Sequence, residues 1–546
     1  MRMPGLGSSV AWLFTAPAVL GNVAPLFSAT PSWSIAPPHS RDGIHMSDTA
    51  PPTTESVARP TATPSGPNST TLEPRTKLVL NLLLISAFVV ILNETIMGVA
   101  LPRLMDDLDI TASAAQWLTT AFLLTMAVVI PITGFLLQRF NTRPIFITAM
   151  TLFSIGTLIA AVAPGFSILL VGRIVQASGT AIMMPLLMTT AMTLVPEALR
   201  GRTMGKISIV ISVAPAIGPT ISGIILQVLD WRWMFILVLP IALASLALGS
   251  ARIKNVTTPV DTKVDVLSVI LSAFGFGGLI YGLSSLGEGS HVEGGIPAWM
   301  PLAVGAAALA LFILRQLSLQ RSDSALLDLR TFTSRNFSLS IGMLAISMAA
   351  LFGTIILLPI YMQTVLELDS LTTGLLLLPG GLVMGLLAPY VGRLYDRNGP
   401  TALVISGSII VSVVFWAMTM LGATSPFWMV LAAHMALSVG LALTFTPLFT
   451  AALGSLKPSM YSHGSAIVGT IQQLAGAAGT ALFIAVMSTQ TTELMATGST
   501  EIAATAEGIR SAFTYGAIIS LFAIPIAFFI RRPAPSPDGA PAPMAH

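Results

Sequence analysis

Cysteine is absent from all 546 residues, which excludes disulfides, thiol nucleophiles and cysteine-bound metal. Charge is scarce as well. Asp, Glu, Lys and Arg make up 9% of the chain, against about 25% in a soluble domain whose surface water must solvate. Hydrophobic residues make up 54%, so most of the surface faces something other than water, and the bilayer is the remaining solvent. There is no Gly-x4-Gly-Lys-(Ser/Thr) phosphate loop and no His-Glu-x-x-His, and nothing arranges Ser, His and Asp into a nucleophilic site. No enzyme, cofactor or metal is therefore expected, and any work must draw on an ion gradient or a partner. The net charge of +3 is too small to suggest nucleic acid.

What is present is apolar and long. Residues 1–77 read as a polar cytoplasmic tail rich in Pro, Ser, Thr and Ala, of a composition that cannot form a packed core. An apolar stretch from Val10 to Phe27 is broken by Pro17 and Pro25, and Met46 is the expected start of translation. From Leu78 onward, apolar segments of about twenty residues, the length that crosses the hydrocarbon core as a helix, follow one another to Ile530. Fourteen are expected: 78–102, 112–138, 144–163, 166–194, 203–228, 232–250, 265–286, 297–317, 337–364, 370–392, 400–422, 426–452, 462–488 and 508–530. Backbone groups in lipid must be bonded internally, so these are helices, and the fold class is an all-α polytopic membrane protein.

The basic residues alternate from loop to loop. Arg75, Lys77, Arg139, Arg143, Arg200, Arg202, Lys206, Arg252, Lys254, Lys263, Arg315, Arg321, Arg330, Arg335, Arg393, Arg397, Lys457, Arg531 and Arg532 fall on one side. Those nineteen face only Arg103, Arg232 and Arg510 on the other, among acids such as Asp106, Asp107, Asp109 and Glu367. The positive-inside rule puts both termini in the cytoplasm of a multi-pass plasma-membrane protein, which requires an even helix number.

The chain also repeats itself. Pro131-Ile-Thr-Gly134-Phe-Leu136-Leu-Gln138-Arg139 matches Pro389-Tyr-Val-Gly392-Arg-Leu394-Tyr-Asp396-Arg397, each copy ending a helix on the basic side. This predicts an N-terminal six-helix half over 78–250, two inserted helices within 251–336, and a C-terminal six-helix half over 337–530 before a tail at 531–546. Parallel repeats of this kind build transporters with the substrate site between the halves near the midplane.

Two ionisable residues stand well inside helices. Glu94 lies about 24 Å along the first from Leu78, and Arg173 about 10 Å into the fourth from Phe166, at overlapping depth. An intramembrane ion is costly and marks function by default. Leaving water disfavours the charged carboxylate and a nearby Arg favours it, so small rearrangements can switch Glu94 between states. Arg173 either takes part in coupling or is purely a partner, since Arg does not titrate. Helix 5 concentrates Gly205, Pro215, Gly218, Pro219 and Gly223, which permit close approach and bending. Met183, Met184, Met188 and Met192 read as core of helix 4, and His434 as a satisfied core histidine.

These motifs resemble the fourteen-helix drug:proton antiporter branch of the major facilitator superfamily, especially its lincomycin-resistance (LmrB-like) exporters, over about Leu78 to Arg532. Leu92-Asn-Glu94-Thr-Ile-Met-Gly-Val-Ala-Leu-Pro102 resembles the family's first-helix motif, and Leu169-Leu-Val-Gly-Arg173-Ile-Val-Gln176-Ala-Ser-Gly179 its fourth-helix motif, whose Arg is implicated in proton transfer. Gly205 through Gly223 resembles the antiporter motif of helix 5. Gly134, Gln138, Arg139 and Arg143, with Gly392, Arg393, Asp396 and Arg397, resemble the cytoplasmic latch. Three departures stand out: Asn93 holds the usual place of the first-helix acid, Gln138 that of a latch Asp, and Ala214 and Ser222 those of two glycines.

The resemblance implies a major facilitator fold that exports hydrophobic or cationic small molecules, drugs and antibiotics among them, in exchange for protons. Glu94 would carry the proton with Arg173 as its partner, helix 5 would be the pivot, and Asp396 would pair with a neighbouring Arg. The expected partners are small molecules, protons and lipid, and the expected state is a monomer driven by the proton gradient. A dedicated exporter of one metabolite (an antibiotic, peptide or siderophore) is the alternative on the same fold, and a non-transporting receptor or scaffold the more distant one.

Overall fold

The computed structural model describes residues 72–253, 255, 259, 264–287, 297 and 299–533. The expectations for residues 1–71, including the start at Met46, and for the last thirteen residues of the C-terminal tail lie outside these. Every long element among the described residues is an α-helix, and fourteen are long and apolar enough to cross a membrane. They are α1 (Pro74–Leu108), α2 (Ala112–Arg139), α3 (Thr142–Ala161), α4 (Phe166–Leu194), α5 (Arg200–Val228), α6 (Arg232–Arg252) and α7 (Val266–Gly287). The second seven are α8 (Trp299–Leu319), α9 (Arg335–Ile360), α10 (Ser370–Asn398), α11 (Thr401–Met418), α12 (Phe427–Gly454), α13 (Tyr461–Ala496) and α14 (Glu501–Ala527).

The hydropathy reading agrees with this order helix by helix. The differences are at the ends: α1 begins four residues early and carries on through Asp106 and Asp107, and α10 runs on to Asn398, whereas α11 stops at Met418, short of the expected residue 422. A helix needs no lipid to continue, because its backbone bonds are internal. Polar side chains close several exposed starts. Thr111, Ser334, Asp369 and Thr500 each accept from the backbone N–H three residues on, at 3.2, 3.4, 2.5 and 3.4 Å, which satisfies a donor that the first turn leaves free.

Small residues set the closest approaches. A methyl group at Gly156 or Gly179 would collide with backbone across the α3–α4 contact, so those two helices touch main chain to main chain. The hairpin α7–α8 closes in the same way through Gly278 and Gly305. It then lays α7 along both α2 and α13, with Trp117 of α2 stacked on Tyr281 of α7 at 5.9 Å. At its basic mouth Arg315 grips Asp265 with two bonds of 2.6 and 2.7 Å.

Candidate functional site

Two places concentrate polar chemistry inside the bundle. The first is built by α1 to α4. Arg173 is 1% exposed, with its guanidinium carbon 4.1 Å from the ring centre of Phe122 on α2. One of its terminal nitrogens donates to Gln176 Oε1 at 2.7 Å and to Asn93 Oδ1 on α1 at 3.3 Å. Gln176 in turn donates to Thr157 Oγ1 on α3 at 2.7 Å. The Gly156 and Gly179 contacts hold α3 and α4 close enough for this bond, while the ring face stabilises the cation electrostatically.

The cluster is not saturated. Arg173 Nε and Asn93 Nδ2 are buried without a hydrogen-bond partner. Glu94 is half-buried and, among the described residues, makes no hydrogen bond or ion pair. It stands close enough to Arg173 for the two charges to act on each other. Arg173 therefore binds Asn93, which faces it directly, and leaves Glu94 uncommitted about 100° round α1. Asn93 is the residue that sequence reasoning passed over. Its signal was the departure at the family's acidic position.

The second place is the basic end of the bundle, where helices from opposite ends of the chain meet. Asp396, at the end of α10, accepts from the backbone N–H of Gly201 at 2.8 Å and of Arg202 at 2.9 Å. These are the unpaired donors of the first turn of α5, where the positive end of the helix dipole favours an anion. The expected guanidinium partner is thus replaced by a helix N-terminus, whose fixed donors need no side chain to be ordered. Gly392 and Gly201 let the two backbones touch, since a methyl group on either would strike main chain of the other helix. The matching position on α2, Gln138, donates through Nε2 to Ser459 O just before α13, at 3.2 Å. Thr189 and Ser465 hydroxyls join α4 to α13 at 2.6 Å, and Thr446 donates to Ser208 between α12 and α5 at 2.8 Å.

Among the described residues, the hydrogen bonds joining α1–α6 to α9–α14 sit at this end, apart from a 3.6 Å contact of Gln473 with Met126 Sδ midway along. Burial follows the same gradient. Residues 461–470 of α13 and 444–453 of α12 are almost all buried, whereas 471–475 are all partly exposed. The basic end is closed, and the bundle loosens toward the acidic end.

The remaining expected residues divide. Gly205 touches Ala388 of α10 and Gly218 touches Thr95 of α1, with Pro215 and Pro219 inside the same helix, while a methyl group at Gly223 would meet open space. Gly134 faces His463 and Ala466 of α13. Arg143 donates its backbone N–H to Asn255 Oδ1 at 3.3 Å, Arg393 lies 4.7 Å over the Tyr390 ring, and Arg397 is exposed. Arg139 is half-buried where α2 ends. His434 binds Leu377 O through Nε2 at 3.2 Å, but its Nδ1 is buried without a hydrogen-bond partner, so the ring is only half satisfied.

Comparison with known proteins gives one answer. The model of the Major Facilitator Superfamily matches residues 83–480. The chain is 42% identical to the uncharacterized MFS-type transporter YcnB of Bacillus subtilis (strain 168), covering 85% of this chain and 97% of that one. It is 39% identical to the lincomycin resistance protein LmrB of Listeria monocytogenes, over 82% and 95%. It is 27% identical to a multidrug resistance protein B homolog of Mycobacterium tuberculosis, over 73% and 74%. In structure it is similar to the human organic anion transporter MFSD10, with a TM-score of 0.61 at 14% identity, covering 83% of this chain and 100% of that one. This chain is thus a multi-pass membrane transporter, and it belongs to the major facilitator superfamily.

Proposed function

We propose that the chain exports hydrophobic or cationic small molecules across the plasma membrane in exchange for protons, with its basic end and both termini in the cytoplasm. The single observation that carries this reading is the uncommitted carboxylate of Glu94 beside a buried, charged Arg173. A carboxylate bound to nothing can exchange a proton or a cationic ligand without first breaking a bond. A purely structural pair would have closed on Arg173. Relatives named for lincomycin and multidrug resistance support the substrate class.

In this reading the conformation is outward-facing. Asp396 on α5, Gln138 on Ser459 and the Thr189–Ser465 and Thr446–Ser208 contacts are the closed inner gate. The halves 78–250 and 337–530 then rock about α5, whose Gly205 and Gly218 sit against α10 and α1. A proton arriving from outside neutralises Glu94 and frees a bound cationic substrate. When the gate opens inward, the proton leaves and the next substrate takes its place beside Arg173. Everted vesicles test this: Glu94→Gln keeps the shape and removes titration, so drug-induced proton release should vanish while the protein still reaches the membrane. Proton release that survives the substitution rules out Glu94 as the carrier.

A further inference from the structure

His463 lies at the third position of α13, 5% exposed, where α13 meets α2 at the closed basic end. Its Nδ1 is buried without a hydrogen-bond partner, and a methyl group at Gly134 of α2 would lie 3.4 Å from that atom. The same methyl group would lie 3.4 Å from Leu327, which belongs to the linker between α8 and α9. That linker is inserted into the seam. Leu326, Leu327, Asp328 and Thr331 are each no more than 3% exposed. Gln316 Oε1 holds the backbone N–H groups of Leu326 and Leu327 at 2.7 and 3.2 Å, and its amide nitrogen binds Ser268 of α7 at 2.7 Å. The inserted hairpin thus anchors a wedge beside the histidine.

The charged groups facing the ring are few. From the linker, Asp328 attracts a proton toward it and Arg330 repels one. Asp328 is already committed, accepting from Arg330 Nε at 2.8 Å, from its terminal nitrogen at 2.5 Å and from its backbone N–H at 2.9 Å. Burial raises the Asp328 carboxyl, but the Arg330 bonds more than reverse this, so it stays ionised and below its usual range. From α2 the facing residue is Gly134, which carries no charge. Tyr461, two residues earlier on α13, lies under Arg200, 5.6 Å away.

We propose that His463 is a proton-binding site of the inner gate, and that its protonation opens the α2–α13 seam toward the cytoplasm. A neutral imidazole can leave Nδ1 as a bare lone pair in the closed seam. A second proton would put a charged N–H there with no acceptor, and a buried unsatisfied donor of that kind is strongly disfavoured. Opening the seam returns the ring to water, where an imidazolium is ordinary near pH 6.5. The inference rests on reading the basic end as the inner gate and is independent of the role of Glu94.

The absence of native cysteine makes the test direct. Phe140→Cys and Lys457→Cys place spin labels on exposed positions either side of the seam, in full-length protein in lipid nanodiscs. From pH 8 to pH 5.5 the long-distance population should rise at least threefold, the rise setting in as pH falls through about 6.5. His463→Gln should stay closed throughout, and His463→Asn serves the same purpose if the first variant does not fold. Adding Glu94→Gln should leave the response in place. An unresponsive wild-type seam, closure on acidification, a response that survives loss of His463, or one that disappears with Glu94→Gln each overturns the proposal.

Discussion

Asp396 and Gln138 occupy equivalent positions in the two repeats, yet the gate should depend on them unequally. Asp396 makes two charge-assisted bonds, at 2.8 and 2.9 Å, to the first turn of α5. Hydrogen bonds to charged groups contribute roughly 1.5–3 kcal/mol each, against about 1 for neutral ones. A carboxylate at a helix N-terminus adds roughly 0.3–1 kcal/mol. Asp396→Asn keeps one acceptor and loses the other bond and the charge. Discounted for its partial exposure, this weakens the closed state by about 2 kcal/mol, or roughly thirtyfold in the closed-to-open ratio. Gln138 offers a single neutral bond of 3.2 Å, so Gln138→Asn should change that ratio by no more than about fivefold. Spin labels at Lys206→Cys on α5 and Leu394→Cys on α10 report the Asp396 contact, and the α2–α13 pair above reports Gln138. Gln138→Glu sharpens the test, because it replaces the donor with an acceptor facing the Ser459 carbonyl and should loosen the seam. If Gln138→Asn opens the gate as far as Asp396→Asn, the asymmetry argument is wrong.

Two further outcomes follow from charge. Reporters fused after Arg532 and within the 252–264 loop should both read as cytoplasmic, and an external reading at either position contradicts the fourteen-helix topology. Asp265 should dock the α7–α8 hairpin independently of pH above about 4. The Arg315 hydrogen bonds, with burial opposing and Ser268 assisting, hold its carboxyl well below the usual carboxylate range. A depressed folded-state value means the stabilisation is complete above the unfolded value and lost only as pH falls through the folded one. Melting curves in detergent should therefore show Asp265→Asn less stable than wild type by the same amount at pH 8 and pH 5. A difference that shrinks by pH 5 would refute this account.

The amino-acid sequence by itself determined the helix count and order, because lipid admits a spanning segment only as a long apolar helix. The alternation of Lys and Arg set the expected sidedness, and the cost of burying charge singled out Glu94 and Arg173. The repeat of Pro131–Arg139 in Pro389–Arg397 was legible as spacing alone. What only the tertiary structure decided is which groups meet. Asp396 finds backbone donors 195 residues away, and a helix N-terminus carries no residue-type signature to betray it. Arg173 turns to Asn93 rather than Glu94 because one residue is about 100° of helix, a difference in facing that only packed neighbours resolve. His463 drew no notice beside His434. Both rings keep a buried Nδ1 without a hydrogen-bond partner, and only the linker wedged beside α2 and α13 places one of them at the basic end, in the seam between those helices.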